Sequence, residues 1–313
     1  MLTNALPKLT NLRNVHISAG NGCLTPILLV LQSTTPRLRS LSLWLVFFTC
    51  TIYTYPYPGP SSPDGPADLC LFTFEHLSHF SYQTDGGSSN AVYNFIYQNQ
   101  PSLRTVSIQN QSWTFPSTFL SIRNLTHIDF LGHLPSNSQA IEDILTHGRQ
   151  LESLLLSCGV DCTSTSHIFR SMPKALPFLH HFSFTVHTVS RRVRDLDLFP
   201  AIAEFLRGRQ QLKTLSLVVQ NGTTQSSVGF DAAVWGVLPS LVNLRALKIS
   251  YPSDLAPGLA SWLIPRSVRA LALTLDFTNM SNGGTTNARD PIPFLDVGIT
   301  LNSVAASTDT SLL

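Results

Sequence analysis

Histidine gives this chain its strongest suggestion of chemistry. His79, His127 and His181 each stand two residues after an apolar anchor, in Leu77-Ser78-His79, Leu125-Thr126-His127 and Leu179-His180-His181. Imidazole binds metals and moves protons near neutral pH, so three rings in equivalent positions raise the question of a zinc site or an acid–base pair. Each triplet runs into alternating apolar residues, Phe80 and Tyr82, Ile128 and Phe130, Phe182 and Phe184. That is the period of a short strand with one buried face. With those residues inward, the three histidines share one outward column. Another unit, however, lies between His79 and His127. At a strand spacing of about 4.8 Å the two rings are roughly 10 Å apart, whereas zinc–nitrogen bonds are near 2.1 Å. That spacing excludes joint coordination. A solvated or partner-contacting surface is the expected role of these histidines.

Other chemistry leaves fainter marks. The chain contains no G-x-G-x-x-G, G-x-x-x-x-G-K-[ST], H-E-x-x-H or G-x-S-x-G, so nucleotide, zinc-protease and hydrolase readings lack their strongest support. No catalytic residue, metal ligand or cofactor is expected, although a site assembled in space from distant residues stays open as a remote alternative. A second column follows each anchor: Arg13, Arg39, Arg104, Lys213, Arg245 and Arg269, interrupted by Ser78, Thr126, Glu152 and His180. It reads either as a basic stripe for an acidic partner or as a solvated edge flanking each strand. The formal net charge of +2 gives no support to nucleic acid or a membrane surface as partner.

These columns exist only if one phrase repeats along the chain. Leu151-Glu152-Ser153-Leu154-Leu155-Leu156 reads L-x-x-L-x-L. It returns with drift from Leu12-x-x-Val15-x-Ile17, through Leu103-x-x-Val106-x-Ile108, to Val268-x-x-Leu271-x-Leu273. Upstream of many anchors lies an i, i+3, i+4 stripe: Val92, Phe95 and Ile96; Ile141, Ile144 and Leu145; Ile202, Phe205 and Leu206; Leu259, Trp262 and Leu263. This is one apolar face of a helix. The anchors recur about every 28 residues, within the usual range for leucine-rich repeats, with single steps from 22 (Leu103 to Leu125) to 39 (Leu38 to Leu77). One unit cannot bury its own apolar face, but stacked units bury a continuous core. The expected fold is an α/β leucine-rich-repeat solenoid, a ribonuclease-inhibitor-like horseshoe with a parallel concave sheet and convex helices.

The chain has 313 residues, of which 12% are charged. That is half the usual share; Ser, Thr, Asn and Gln fill the polar positions. Residues 1–277 are expected to form the solenoid, about ten irregular repeats, with 45–66 as an inserted loop. There, a Leu45–Tyr53 apolar run and the Pro/Gly-rich Tyr55–Pro63 stretch account for the longest step. Residues 278–313 read as a largely disordered tail, in which 292–301 add a last irregular strand. Residues 185–198 read as a charged loop. The first repeat begins within a dozen residues of Met1, too few for a polar-faced cap, so more sequence upstream is expected. An odd number of cysteines, five, and a start without a basic-then-apolar leader point to a cytoplasmic or nuclear protein.

Leu38-Arg39-Ser40-Leu41-Ser42-Leu43, Leu103-Arg104-Thr105-Val106-Ser107-Ile108 and Leu212-Lys213-Thr214-Leu215-Ser216-Leu217 resemble the irregular repeats of F-box/leucine-rich-repeat proteins, in particular the large fungal expansions of that class. The resemblance covers about residues 6–275. It implies a non-enzymatic protein-binding scaffold and, more narrowly, the substrate-recognition part of an F-box-like ubiquitin ligase subunit. The match nearest to an F-box start, Leu6-Pro7-Lys8-Leu9, lacks the glutamate of that motif and runs into a repeat. On that ground the cullin adaptor is not an expected partner. A receptor-type or other ligand-binding repeat protein is the alternative. The expected partner is a protein or peptide on the concave face, docking across His16, Trp44, His79, Gln109 and Asp129. Trp44 is the large aromatic among these outward residues, and such residues dominate interface energetics. The bland reading of Trp44 is a cover for the apolar run that follows it.

Overall fold

The computed structural model describes residues 11–19, 24–45, 69–161, 164–190, 194–275 and 296–300. Ten strands follow the repeated phrase: β1 (Asn14–Ala19), β2 (Ser40–Leu45), β3 (His79–Thr84), β4 (Thr105–Thr114), β5 (His127–His133), β6 (Ser153–Val160), β7 (His181–Val189), β8 (Thr214–Val219), β9 (Ala246–Ser250) and β10 (Ala270–Thr274). They lie side by side in sequence order and all pair in parallel. A parallel pair needs a crossover connection, and helices supply most of them: α1 (Leu24–Thr34), α2 (Asn90–Asn99), α3 (Gln139–His147), α4 (Thr165–Ser171), α5 (Leu198–Leu206), α6 (Gly222–Val228), α7 (Ala232–Trp235) and α8 (Pro257–Leu263). Short 3-10 turns at Leu69–Leu71, Ile122–Asn124 and Leu238–Ser240 tighten other crossovers. The result is the expected leucine-rich-repeat solenoid.

One ladder sets the register. The carbonyl of Arg13 accepts from the amides of both Arg39 and Ser40, at 2.8 and 2.9 Å, and the carbonyl of Arg39 accepts from Ser78 and His79. The same double acceptance passes through Ser78, Arg104, Thr126, Glu152, His180, Lys213 and Arg245 to Arg269. These are the residues of the expected basic column. Its arginines and lysine are exposed at the margin of the sheet while their backbones tie each strand start to the preceding one.

The core is a single cluster running the length of the sheet. Both inward residues of the central phrase are buried, Leu154 at 1% exposure and Leu156 at 0%. In α3, Ala140, Ile141, Ile144 and Leu145 face inward, while Glu142 in the first turn and His147 in the last suit the helix dipole. Full burial of an Ile such as Ile144 contributes roughly 1.5–3 kcal/mol. Gly132 in β5 belongs where it is because a Cβ there would lie 2.3 Å from the carbonyl oxygen of Trp113. Trp113 in turn stacks on Tyr82 at 5.4 Å.

The structure differs from the sequence expectation in several places. In α8, Leu259 and Trp262 are exposed, Trp262 at 84%, and Ala260 turns inward instead. The reason is an earlier residue: Leu255, buried just before the helix, takes the core seat, and Pro257 starts only seven residues of helix. Residues 185–189 belong to β7, not to a charged loop. Asp195 is buried and accepts from the Ser166 amide of α4 at 3.1 Å, and Asp197 pairs with Arg170 at 2.5 Å. Leu45, the first residue of the expected insertion, ends β2 and is fully buried. The rest of that stretch, residues 46–66, lies outside the described residues. So does the expected tail, except for β11 (Asp296–Thr300), which pairs antiparallel with β10.

Candidate binding face

The side of the sheet away from the helices carries three rows of outward residues. Register places Ser107, Asp129, Leu155, Ser183, Ser216, Lys248 and Ala272 in the middle row, one per strand from β4 to β10. Alternation along each strand makes this unavoidable once the Leu and Ile positions are buried.

The five residues expected to dock a partner all lie on this face, over β1 to β5. Trp44 is 45% exposed near the end of β2, and His16 and His79 are exposed. Gln109 and Asp129 meet: the Gln109 amide donates to Asp129 Oδ2 at 3.3 Å, beside the Ser107 hydroxyl at 2.9 Å. The others are not brought together. Trp44 pairs in register with Gln83, four residues along β3 from His79, about 13 Å at a strand rise near 3.3 Å per residue.

The column of histidines is built as its spacing implied. His79, His127 and His181 align in register with Thr105 and Ser153 between them. A hydroxyl occupies each Nδ1: Ser78 at 2.7 Å, Thr126 at 2.8 Å and Thr214 at 2.7 Å, respectively. Among the described residues there is no group of three or more His, Cys, Asp or Glu able to hold a metal ion. A fourth such pair, Ser157 Oγ to His187 Nε2 at 2.6 Å, has the reach of a nucleophile and its base. No carboxylate bonds to His187 among the described residues, and burial lowers its pKa from the usual value. It therefore resembles the three hydroxyl–imidazole pairs elsewhere on the face.

Two adjoining hollows lie over the C-terminal half of the sheet. One hollow of about 530 Å³ spans β6 to β10 over Leu155, Ser183, Ser216, Ala246, Lys248 and Ala272. A second, of about 550 Å³, adjoins it toward the strand ends and is lined by Ser157, Thr185, His187 and Thr274. Ser183, Ser216 and Lys248 border both. Residue size contributes: the alanines Ala246, Ala270 and Ala272 on β9 and β10 leave space beside Ser183 and Ser216. His181 borders the first hollow with its pKa lowered, by burial first and then by the charges of His180, Lys213 and His127. Sequence reasoning passed over this half. Its only signal was three outward alanines in the last two repeats, one on β9 and two on β10, and small residues do not announce a site.

Two asparagines that stand in Asn-x-Ser/Thr sequences, Asn110 and Asn221, have their side chains engaged within the fold. Asn110 is buried, with its amide on the Thr84 carbonyl at 3.0 Å, and Asn221 caps α6 through the Thr224 amide at 2.9 Å. No helix among the described residues is long and apolar enough to cross a membrane.

Neither a family model nor a curated protein matches the chain. Among solved structures, the chain is similar to the leucine-rich repeat-containing protein LegL7 from Legionella pneumophila, at 11% identity and a TM-score of 0.41, over 85% of this chain and 84% of that one.

Proposed function

We propose that the protein is a non-enzymatic scaffold that binds a protein or peptide across its concave sheet. The observation that carries this reading is the pair of adjoining hollows, lined by outward side chains from five neighbouring strands. A surface contributed one residue at a time by successive repeats suits an extended partner better than a small substrate. His16, Trp44, His79, Gln109 and Asp129 extend the same face over β1 to β5 and would contribute to a long interface. Hydroxyl-lined, weakly charged strands recognise through hydrogen bonds and shape, with aromatic residues as anchors.

The narrower reading, substrate recognition in an F-box-like ubiquitin ligase, rests on the likeness of the repeat phrases. It predicts that proteins captured by this chain accumulate when ubiquitin conjugation is blocked.

The test is affinity capture with two baits, the natural chain and a Ser183→Arg/Ser216→Arg variant that fills the concave hollows. A partner captured by the first and lost from the second, with melting temperature unchanged, supports the reading. Identical captures from both baits would overturn it.

A further inference from the structure

We propose that the protein docks on anionic membrane surfaces by the edge of the sheet at which its strands start, with basic side chains on the lipid headgroups and Phe178, Val242 and Trp262 in the interface beneath them. This edge is a different surface from the concave hollows, and the proposal does not rest on the scaffold reading.

Charge distribution is the first argument. The formal net charge of +2 averages over an uneven chain. The five residues before each of β1 to β10 hold eleven of the 20 Lys and Arg but only Glu75 and Glu152 of the 18 Asp and Glu. In the turns leading into β7 to β10 stand Lys174, Lys213, Arg245, Arg266 and Arg269, all exposed. Residues 172–180, 207–213, 236–245 and 264–269 include no Asp or Glu. Among the described residues, the ion pair at these turns is Arg207 with Glu204, which leaves those five cations outside it. Cations at helix C-termini also suit the helix dipole, but the dipole is too small to absorb this charge. The helices α4, α5 and α8 end at this edge, and each end counts as about half a negative charge.

The second argument is that the turns form one continuous edge. Arg209 donates to the carbonyls of Pro173, Ala175 and Leu176, and Gln211 donates to that of Pro177. Asn243 donates to the Gln210 carbonyl at 2.8 Å, and the Arg269 amide to the Arg245 carbonyl at 2.7 Å. At about 4.8 Å per strand, the starts of β7 to β10 span about 14 Å. Neighbouring starts are closer than the Debye length of about 8 Å at physiological salt, so their cations act on an anionic surface together.

The third argument is apolar. Phe178 is 59% exposed, Val242 54% and Trp262 84%. Phe178 follows Pro177 in the first of these turns, Val242 precedes Asn243 in the third, and Trp262 stands in the last turn of α8. Aromatic and aliphatic side chains set among Lys and Arg suit the headgroup region, which takes amphipathic rings and attracts basic residues. A nucleic acid is bound by a groove that tracks its backbone; here the cations follow an edge from which a valine projects, and phosphate gives a valine nothing. Contact along this edge leaves the outward face of the sheet open to a protein partner.

The experiment is co-sedimentation with phosphatidylcholine vesicles, with and without phosphatidylserine. The natural chain is compared with Arg245→Gln/Arg269→Gln and Trp262→Phe variants, which alter exposed residues and should melt as the natural chain does. The natural chain should sediment with phosphatidylserine vesicles and not with neutral ones, and the arginine variant should bind them at least about tenfold more weakly. Tryptophan emission should shift to the blue on binding, and Trp262→Phe should bind without that shift, because the other tryptophans lie in the core or on the concave face. No binding to phosphatidylserine vesicles, equal binding to neutral ones, undiminished binding of the arginine variant, or binding without an emission shift would overturn the proposal. Retention of single-stranded RNA without vesicle binding would overturn it too and assign the edge to nucleic acid.

Discussion

Arg209 donates from Nη1 to the carbonyl of Leu176 at 2.9 Å, and Leu176 is the one residue other than glycine with positive φ, 53°, among the described residues. The guanidinium also reaches the carbonyls of Phe205, Pro173 and Ala175 and lies 3.9 Å over the Phe205 ring. No carboxylate pairs with it among the described residues. Four carbonyl dipoles solvate the cation instead, and burial pulls its pKa down to about 10. A left-handed leucine is strained, and the arginine fork is what holds that turn in place.

Arg209→Ala should therefore be among the most damaging polar substitutions. Hydrogen bonds from charged donors are worth about 1.5–3 kcal/mol each, and with water replacing part of the lost set the net cost should be about 3 kcal/mol. Urea denaturation measures it. Arg209→Lys keeps the charge, lacks the fork, and should fall between the two. A loss below about 1 kcal/mol for the alanine variant would mean that the turn holds itself.

Asn99 performs a similar service at the start of the third repeat. Its Oδ1 accepts from the Phe74 amide at 2.7 Å, and its Nδ2 donates to the carbonyls of Phe95 and Phe72 at 2.8 and 3.2 Å. Asn99→Ala should cost about 2–3 kcal/mol and speed hydrogen exchange of the Phe74 amide. Unchanged protection there would remove Asn99 from this role.

Leu154→Ala should cost roughly 2–5 kcal/mol by leaving a cavity between β5 and β7. The comparison is Leu155→Ala. Leu155 sits next to it in sequence but on the exposed face, and its truncation should change stability by about 0.5 kcal/mol or less.

Acid should weaken the fold through His187 and His181. Both have pKa values lowered in the native state, His187 by burial, and His181 by burial together with His180, Lys213 and His127 against an opposing Glu152. The unfolded chain then binds more protons than the native one below the usual histidine value. Stability is full above about pH 6.5 and falls as pH drops through that value toward the native pKa. Melting temperature should decline between pH 7.5 and 5, and less steeply in His187→Asn. An equal slope in that variant would assign the acid sensitivity to other groups.

Once a partner is in hand, Trp44→Ala should lower its affinity by at least about 2 kcal/mol without affecting melting. Titration calorimetry separates the outcomes. Unchanged affinity would confine the interface to the C-terminal half of the face.

The parts of this molecule that were legible in the sequence are those governed by period. Leu38, Leu77 and Leu151 recur with strand alternation behind them, and all three are buried. Arg209 was illegible because Gly208-Arg209-Gln210-Gln211 reads as a polar turn; only folding brings the carbonyls of 173–176 around it. Trp262 was misread because an i, i+3, i+4 stripe in a seven-residue helix can be displaced by one bulky residue outside it, here Leu255. The hollow beside Lys248 was missed for the opposite reason. It is made by what alanines leave empty, and sequence patterns record what is present.

The carbonyl ladder from Arg13 to Arg269 separates two properties that most folds link. Each strand starts on one acceptor of the unit before it, whereas the chain between acceptors runs to 22 residues from Arg104 to Thr126 and 39 from Arg39 to Ser78. Insertions or deletions on the helical side can therefore accumulate without shifting any outward residue relative to its neighbour. Such a chain can drift in length on one side while selection edits the other, one side chain per strand.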